Sequence, residues 1–314
     1  MTARALRLGT LRLGTRSSAL ALAQSGLVAR AVTEATGRAV ELVHITTFGD
    51  VSKAALTQIG GTGVFVNALR DALLDGSVDF AVHSLKDLPT AEPELLALAA
   101  VPEREDVRDV LVARDRLKFA DLPPGSRIGT GAPRRAAQLR LLRQDIEIVP
   151  VRGNVDTRVG FVTKGELDAV VLAYAGLHRL GRIGEATDYF DPAQLVPAPG
   201  QGALAIECRA ADGELVAELA TLDHRPTRAA VRAERALLAA LEAGCSAPVG
   251  GYATSTATEL QLTGTVTEAA TSAAAPRSIR MSATGTTDEA ERLGRELAAR
   301  MLAEGAAGLM GKQT

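Results

Sequence analysis

The chain has 314 residues, of which 46% are hydrophobic and 3% aromatic, with no Trp. This length predicts two or three domains with aliphatic cores, and the shortage of aromatic rings argues against recognition of nucleic-acid bases by stacking. The 35 basic and 37 acidic residues give a formal charge of −2, which excludes the strongly basic balance of a typical nucleic-acid-binding protein.

Arginine dominates the basic residues, with 30 Arg against five Lys. The planar guanidinium group matches the oxygens of carboxylates and phosphates, so an anionic ligand is one interpretation of this excess. Codon usage in a GC-rich genome, which would also raise the Ala content, is the other. The positions of the arginines have to decide between them.

The sequence favours a cytosolic protein without a metal centre. No apolar run reaches the ~20 residues of a membrane span, and the N-terminus alternates Arg with Leu, unlike a signal peptide. Cys208 and Cys245 form no CxxC pair, so we expect neither a disulfide nor a zinc site. The four scattered His residues add no metal-ligand pattern.

Two βαβ units with similar openings are predicted, which indicates two α/β lobes of related design. The first has a strand over 11–15, Ser17 and Ser18 as candidate helix caps, a helix over 19–36 and a strand over 40–46. The second has a strand over 127–130, a helix from Pro133 to about 143 and a strand over 146–151. A turn and strand at 76–82 and another at 165–171 repeat in the same order.

The breaker-rich segment 195–202 predicts a hinge or crossover between the lobes. After it we expect a strand over 203–208, helices over 212–222 and 225–243, β-rich segments at 259–266 and 278–283, and a last helix from Asp288. The segment from 225 onward repeats nothing from the two lobes and predicts a smaller α+β domain. The Gly-rich stretch 48–63 is either a mobile lid over a site or an ordinary surface loop.

Seven arginines, no Lys and three acids lie between residues 127 and 158. Arg134 and Arg135 fall in the first turn of the predicted helix, Arg152 follows a strand and Arg158 lies in the next helix. A cation is unfavourable at the positive end of a helix dipole, so an anionic ligand explains these positions better than a solvated surface does. For Arg140 and Arg143 the solvated surface is the better interpretation.

Two further groups could carry chemistry. The strand over 79–82 delivers Lys86 and Asp87 to the sheet edge where ligands bind in α/β proteins. The two are either a surface ion pair or, among arginines in a cleft, a carboxylate that stabilises a cation or transfers a proton. Cys208 fits a buried strand, whereas Cys245 lies in a loop next to Gly244 and is the better candidate nucleophile.

These features occur in six motifs that together resemble the porphobilinogen deaminase, or hydroxymethylbilane synthase, family. The motifs are LRLGTRSSALA from Leu11, AVHSLKDLPT from Ala81, GTGAPRRAAQL from Gly129, RGNVDTR from Arg152, PGQGALAIE from Pro199 and LEAGCSAPVG from Leu241. Each motif is weak alone, but six in the family's order are specific. The match covers nearly the whole chain from Leu11 onward.

The resemblance implies a transferase that joins four porphobilinogen molecules head to tail, with loss of ammonia, into the linear tetrapyrrole hydroxymethylbilane. It implies a dipyrromethane cofactor, derived from the substrate and bound to Cys245 as a thioether. It also implies two lobes of the type II periplasmic-binding-protein kind, with the chain returning to the first lobe after the crossover, and a C-terminal α+β domain that carries the cysteine. The predicted domains are therefore a discontinuous first lobe (1–102 and 203–220), a second lobe (108–196) and the α+β domain (225–314). A cytoplasmic monomer is implied as well. Its product would pass to uroporphyrinogen III synthase, with no nucleic acid, membrane or metal partner.

The resemblance also assigns roles to individual residues. Asp87 would be catalytic, its carboxylate stabilising the azafulvenium cation that forms when ammonia leaves. Besides Cys245, the expected cofactor ligands are Ser84, Lys86, Arg134, Arg135 and Arg158. The expected substrate ligands are Arg16, Ser18, Gln24, Arg152 and Arg179.

Three positions depart from the pattern. Ala132 stands where many members have a Ser that binds the cofactor, and Gln58 and Thr62 stand where some relatives have Lys in the lid. A non-enzymatic two-lobe anion-binding protein is the alternative, but it would leave the loop cysteine without a purpose. A phosphoryl-transfer enzyme would need a GxxxxGK[ST] loop, and the sequence contains none.

Overall fold

The computed structural model describes residues 9–45, 64–244, 247–268 and 276–311. The chain divides into two compact units, the first formed by Met1–Arg104 with Ala203–Arg228 and the second by Glu105–Gly202 with Ala229–Thr314. In the described residues no helix is long and apolar enough to cross a membrane.

The described elements alternate strands and helices up to the middle of the chain and end in a strand-rich segment followed by helices. The strands are β1 (Leu11–Thr15), β2 (Val40–His44), β3 (Phe80–Ser84), β4 (Leu96–Ala100), β5 (Asp109–Ala113), β6 (Arg127–Gly129), β7 (Glu147–Val149), β8 (Ala169–Ala173), β9 (Asp188–Phe190), β10 (Leu204–Arg209), β11 (Val249–Ser255), β12 (Glu259–Thr267) and β13 (Ser278–Thr286). The helices are α1 (Ala19–Thr36), α2 (Val64–Leu74), α3 (Pro133–Leu142), α4 (Val155–Thr163), α5 (Tyr174–Arg179), α6 (Gly213–Leu219), α7 (Arg225–Ala240), α8 (Ala290–Ala303) and α9 (Ala306–Leu309).

Helix α1 shows why the predicted boundaries hold. The Ser18 side chain accepts a hydrogen bond from the backbone N–H of Ala21, as expected of an N-cap. At the other end Gly37 adopts a left-handed conformation with φ of 73°, and its N–H bonds to the Thr33 carbonyl. Both predicted ends of this helix are confirmed.

The two units contain five-stranded sheets with the same arrangement. The first has the order β2-β1-β3-β10-β4 and the second β7-β6-β8-β5-β9. In each sheet the first three strands are parallel, and the fourth runs antiparallel to both of its neighbours. The internal repeat predicted from the sequence is therefore present as a repeated topology.

The C-terminal part of the second unit is α+β. Strands β11, β12 and β13 form an antiparallel sheet, and its core includes the fully buried side chains of Leu237, Leu262 and Leu297. The predicted fold class, two α/β lobes followed by an α+β part, is confirmed. The exact domain boundaries stay a prediction.

Strand β11 is not among the strands that the sequence predicts; only its first two residues belong to a predicted segment, the loop that contains Cys245. Its start contains Gly250 and Gly251, and glycine weakens the strand signal. Close packing in the second unit requires Gly250, because a Cβ there would lie 2.9 Å from the Val196 carbonyl oxygen. A Cβ at Gly251 would make a tight contact of 3.1 Å with Pro199 Cγ. The contact that fixes this strand is not visible in the local sequence.

Candidate functional site

In the first unit, polar residues collect at the carboxyl ends of two neighbouring parallel strands. Arg16 follows β1, and Lys86 and Asp87 form a one-turn helix with Leu85 directly after β3. Asp87 is exposed and Lys86 is half-buried. This edge therefore presents an exposed carboxylate that follows Lys86 in sequence, with Arg16 at the end of the neighbouring strand.

Gln24 and Ser84 meet at the same edge. Gln24 is buried in α1, and its Nε2 donates a hydrogen bond of 2.9 Å to Ser84 Oγ. Ser18 is half-buried and already caps α1. The first unit thus brings together six of the predicted site residues: Arg16, Ser18, Gln24, Ser84, Lys86 and Asp87.

Behind β3, on the face opposite Ser84, lies a buried charged cluster. Glu207 on β10 forms a bidentate ion pair with Arg70, with distances of 2.7 and 3.1 Å, and its Oε2 lies 3.1 Å from His83 Nε2. Burial opposes ionisation of Glu207, but the close contact with His83 and the hydrogen bonds from Arg70 lower its pKa to about 2. The cluster connects β3, β10 and α2.

In the second unit, Arg134 and Arg135 lie in the first turn of α3 and are 4% exposed. Arg134 Nη2 lies 2.7 Å from Asp109 Oδ2, and Arg135 Nη2 lies 2.7 Å from Asp109 Oδ1. The same guanidinium groups also donate to the carbonyls of Val196 and Val171. This burial excludes the solvated surface as the explanation of the pair, and Asp109 is a partner that the sequence did not reveal.

The cluster of Arg134, Arg135 and Asp109 carries more positive than negative charge. Burial by itself raises the pKa of Asp109, but the two guanidinium charges outweigh it and hold the pKa of this carboxyl well below its ordinary value. Burial lowers the pKa of Arg134, and attraction to Asp109 does not fully offset burial and repulsion from Arg135. A further anion would neutralise the remaining positive charge of the cluster.

The other predicted arginines of the second unit lie in different settings. Arg179 Nη2 donates a hydrogen bond of 2.7 Å to the Gly202 carbonyl. Burial lowers the pKa of Arg179, although the negative charge of Glu105 acts to raise it. Arg158, in α4, donates through Nε to the Gly153 carbonyl at 2.9 Å, and Arg152 is exposed. Whether these three contact a ligand stays a prediction.

The remaining residues singled out in the sequence either lie outside the described ranges or have structural roles. Cys245, Gln58 and Thr62 lie outside the described residues. Cys208 is buried, which raises the pKa of its thiol to about 11, so a core role is the consistent interpretation. Arg143, predicted to lie on a solvated surface, is half-buried: it pairs with Asp145 and donates to the carbonyls of Phe119 and Leu122.

Sequence reasoning missed Asp109, Gln201 and Glu207. Six of the seven residues from 103 to 109 are charged, and no local feature distinguishes Asp109 from its neighbours. Gln201 lies in the predicted crossover, where the neighbouring glycines and prolines predict a chain break but nothing marks the Gln side chain. Across the described ranges, no group of His, Cys, Asp or Glu could hold a metal ion.

Two family models together match most of the chain. A family model described as "Porphobilinogen deaminase, dipyromethane cofactor binding domain" matches residues 11–217, and one described as "Porphobilinogen deaminase, C-terminal domain" matches residues 228–303. The chain belongs to the porphobilinogen deaminase family. It is therefore a transferase of tetrapyrrole biosynthesis that uses a dipyrromethane cofactor.

Curated relatives of this deaminase are similar over most of their length. Porphobilinogen deaminase 1 of Streptomyces coelicolor is 62% identical over 96% of this chain and 98% of the relative. Porphobilinogen deaminase of Thermobifida fusca is 66% identical over 77% of this chain and 76% of the relative. Among solved structures, a periplasmic binding protein of Salmonella typhimurium is 17% identical, with a TM-score of 0.40 over 68% of this chain and 91% of that chain.

The described residues of the deaminase fit an anionic cofactor. Two buried guanidinium groups share one carboxylate in the second unit, so a carboxylate side chain of the dipyrromethane would neutralise the remaining charge. In the first unit Ser84 and Lys86 supply hydrogen-bond donors at a sheet edge.

Proposed function

We propose that this deaminase joins four porphobilinogen molecules head to tail into hydroxymethylbilane, on a dipyrromethane primer held by Cys245 through a thioether. In each step the aminomethyl carbon of a substrate loses ammonia, the resulting azafulvenium carbon bonds to the free α-carbon of the terminal pyrrole, and that carbon then loses a proton. The bound cofactor supplies the first such pyrrole. Each step consumes one substrate and releases one ammonia. After four steps, hydrolysis of the bond between the primer and the methylene carbon of the first substrate-derived pyrrole would give that carbon the hydroxyl group of the product and return a proton to the primer.

The exposed carboxylate of Asp87 is the observation that carries this proposal. It lies at the carboxyl end of β3, on a one-turn helix, beside Lys86 and next to Ser84. A carboxylate held there can accept hydrogen bonds from pyrrole N–H groups and stabilise positive charge on the ring as ammonia leaves. Its effect then belongs to the transition state more than to substrate binding.

The arginines supply binding for the acetate and propionate groups that every pyrrole carries. We assign Arg134, Arg135 and Arg158, with Lys86 and Ser84, to the cofactor carboxylates. The incoming substrate would be held by Arg16, Ser18, Gln24, Arg152 and Arg179. Action as a cytoplasmic monomer that passes its product to uroporphyrinogen III synthase is part of the same proposal and rests on the family resemblance.

Replacement of Asp87 by Asn tests the proposal. The amide keeps the shape of the side chain but removes its charge, so we expect porphobilinogen consumption to fall about a hundredfold or more. Asp87→Glu should be intermediate because it restores the charge at a displaced position. Cofactor content by intact mass and thermal melting should match the unmutated protein.

Asp121→Asn is a matched control, because Asp121 is also an exposed aspartate at the end of a one-turn helix, Phe119–Asp121, in the second unit. It should leave turnover unchanged. If folded and cofactor-loaded Asp87→Asn consumes porphobilinogen near the normal rate, another group stabilises the cation and the proposed mechanism is wrong.

A further inference from the structure

Asp109 holds two arginines with one carboxylate group. It is fully buried at the start of β5. Arg134 bonds to its Oδ2, while Arg135 reaches its Oδ1 through both Nε and Nη2, at 3.1 and 2.7 Å. Because each oxygen receives a different guanidinium, the carboxylate fixes the spacing and the orientation of the two groups.

Gln201 fixes Asp109 in turn. Its Nε2 donates hydrogen bonds to Asp109 Oδ1, at 2.8 Å, and to the Val107 carbonyl, at 2.7 Å. The Gln201 side chain is fully buried. The orientation of the arginine pair therefore also depends on Val107 and Gln201. These residues lie just before and just after the predicted second lobe (108–196) in sequence. Buried hydrogen-bond networks of this kind act as units, so loss of one member disturbs the others.

The net charge of Arg134, Arg135 and Asp109 indicates how many ligand carboxylates the pair of arginines can bind. Two guanidinium cations and one ionised carboxylate leave an excess of one positive charge in a buried place. One further carboxylate would neutralise that excess, whereas a second would again leave an unbalanced buried charge. Without Asp109, the pair would carry two unbalanced charges and lose its shared anchor.

We propose that Asp109 is a positioning residue of the cofactor site, which holds Arg134 and Arg135 in place and limits the pair to one ligand carboxylate. This rests on the proposed function, in which the pair binds a carboxylate of the dipyrromethane. Asp109 itself need not touch the cofactor. Its influence acts through the two guanidinium groups.

The loaded fraction of purified Asp109→Asn, measured by intact mass, tests this role. Loss of a partner from a buried ion pair weakens binding through that pair about tenfold or more, so the variant should be purified largely without cofactor. Asp109→Glu restores the charge and should regain part of the loading. Glu207→Gln is the matched control: it breaks a buried carboxylate–arginine pair in the first unit, so it should lose thermal stability but keep its cofactor.

Thermal melting separates misfolding from poor loading. If Asp109→Asn does not fold, Gln201→Leu keeps the Asp109 carboxylate but removes the amide that bonds to it and to the Val107 carbonyl, and a folded but poorly loaded Gln201→Leu protein supports the proposal. Full loading of folded Asp109→Asn, or of Gln201→Leu in its place, overturns it. An unmutated protein without any cofactor mass would instead contradict the proposed function.

Discussion

Asp109 and Glu207 are buried carboxylates that stay ionised in the same way in the two units. Asp109 is 0% exposed and lies between two arginines, and Glu207 is 3% exposed and lies between Arg70 and His83. In both cases burial favours the protonated acid, and the cationic or hydrogen-bonding partners outweigh it. Each carboxylate thus depends on its partners for its charge.

Glu207→Gln should destabilise the protein most at neutral pH. The pKa of Glu207 is about 2, against an ordinary value of 4.5, so its stabilising effect is complete above about pH 4.5 and is lost as the pH falls toward 2. Breaking this buried pair should cost about 3 kcal/mol at pH 7. Denaturant unfolding of both proteins at pH 7, 5 and 3 measures how the difference shrinks with acid.

Glu92→Gln provides the comparison for that pH series, since Glu92 is an exposed glutamate of the same unit. Its free energy of unfolding should stay close to that of the unmutated protein throughout. A difference between Glu207→Gln and the unmutated protein that is independent of pH would show that the charge of Glu207 does not contribute to stability.

The sequence identified the arginines of the second unit but not their partner. Arg134 and Arg135 stand out because two cations at the start of a helix conflict with its dipole. Asp109 is 25 and 26 residues away from them in sequence, and the contact exists only because β5 lies in the same sheet as β6, which leads into α3. Pairings of this kind depend on topology, which local patterns do not determine.

Helix starts show how local chemistry determines secondary structure. Ser18 caps α1, and the Asn154 side chain accepts a hydrogen bond from Thr157 N at the start of α4. Helix α3 differs: its N-cap residue, Ala132, has no side-chain acceptor, although Pro133 occupies the favoured first position. The Thr130 hydroxyl accepts the N–H of Ala132 itself at 3.2 Å.

Ala132→Ser should therefore stabilise the protein. Ala132 has φ of −99° and ψ of 115°, an extended conformation suited to an N-cap, so a Ser hydroxyl could accept an N–H of the first turn of α3. The expected gain is about 1 kcal/mol, or roughly 2–4 °C in melting temperature. The measurement belongs in a Cys245→Ala background, where no cofactor contact adds to the effect.

Ala132→Val serves as the control for this change, because Val adds side-chain volume without an acceptor and should bring no gain. An unchanged melting temperature of Ala132→Ser in the cofactor-free background would show that the first turn of α3 does not need a cap.

Predictions of individual elements succeeded where the pattern is local. Helix α1 has a cap, an Ala- and Leu-rich body and a terminal glycine, and its bounds match the prediction. Strand β9 spans only Asp188–Phe190 and exists through its pairing with β5, so its own sequence carries little signal. Strand β9 could not be predicted because its partner defines it.

At the level of the whole chain, the repeat was visible in the sequence and the route of the chain was not. The matching openings at β1 and β6 indicated two lobes of related design. The family resemblance implied that the chain returns to the first lobe, but the pairing of β10 with β3 and β4 was not predicted, since hydrophobic alternation predicts a strand without naming its neighbours. The shared strand order of the two sheets is the stronger sign of the repeat.

The central claim is that a dipyrromethane bound to Cys245 primes the reaction, and the intact mass of the purified protein tests it most directly. We expect a mass above that of the 314-residue chain by two condensed pyrrole units. Cys245→Ala should abolish the excess, and Cys208→Ala should keep it, because Cys208 is buried and the pKa of its thiol is raised to about 11. An excess that persists in Cys245→Ala, or its absence from the unmutated protein, would contradict the account.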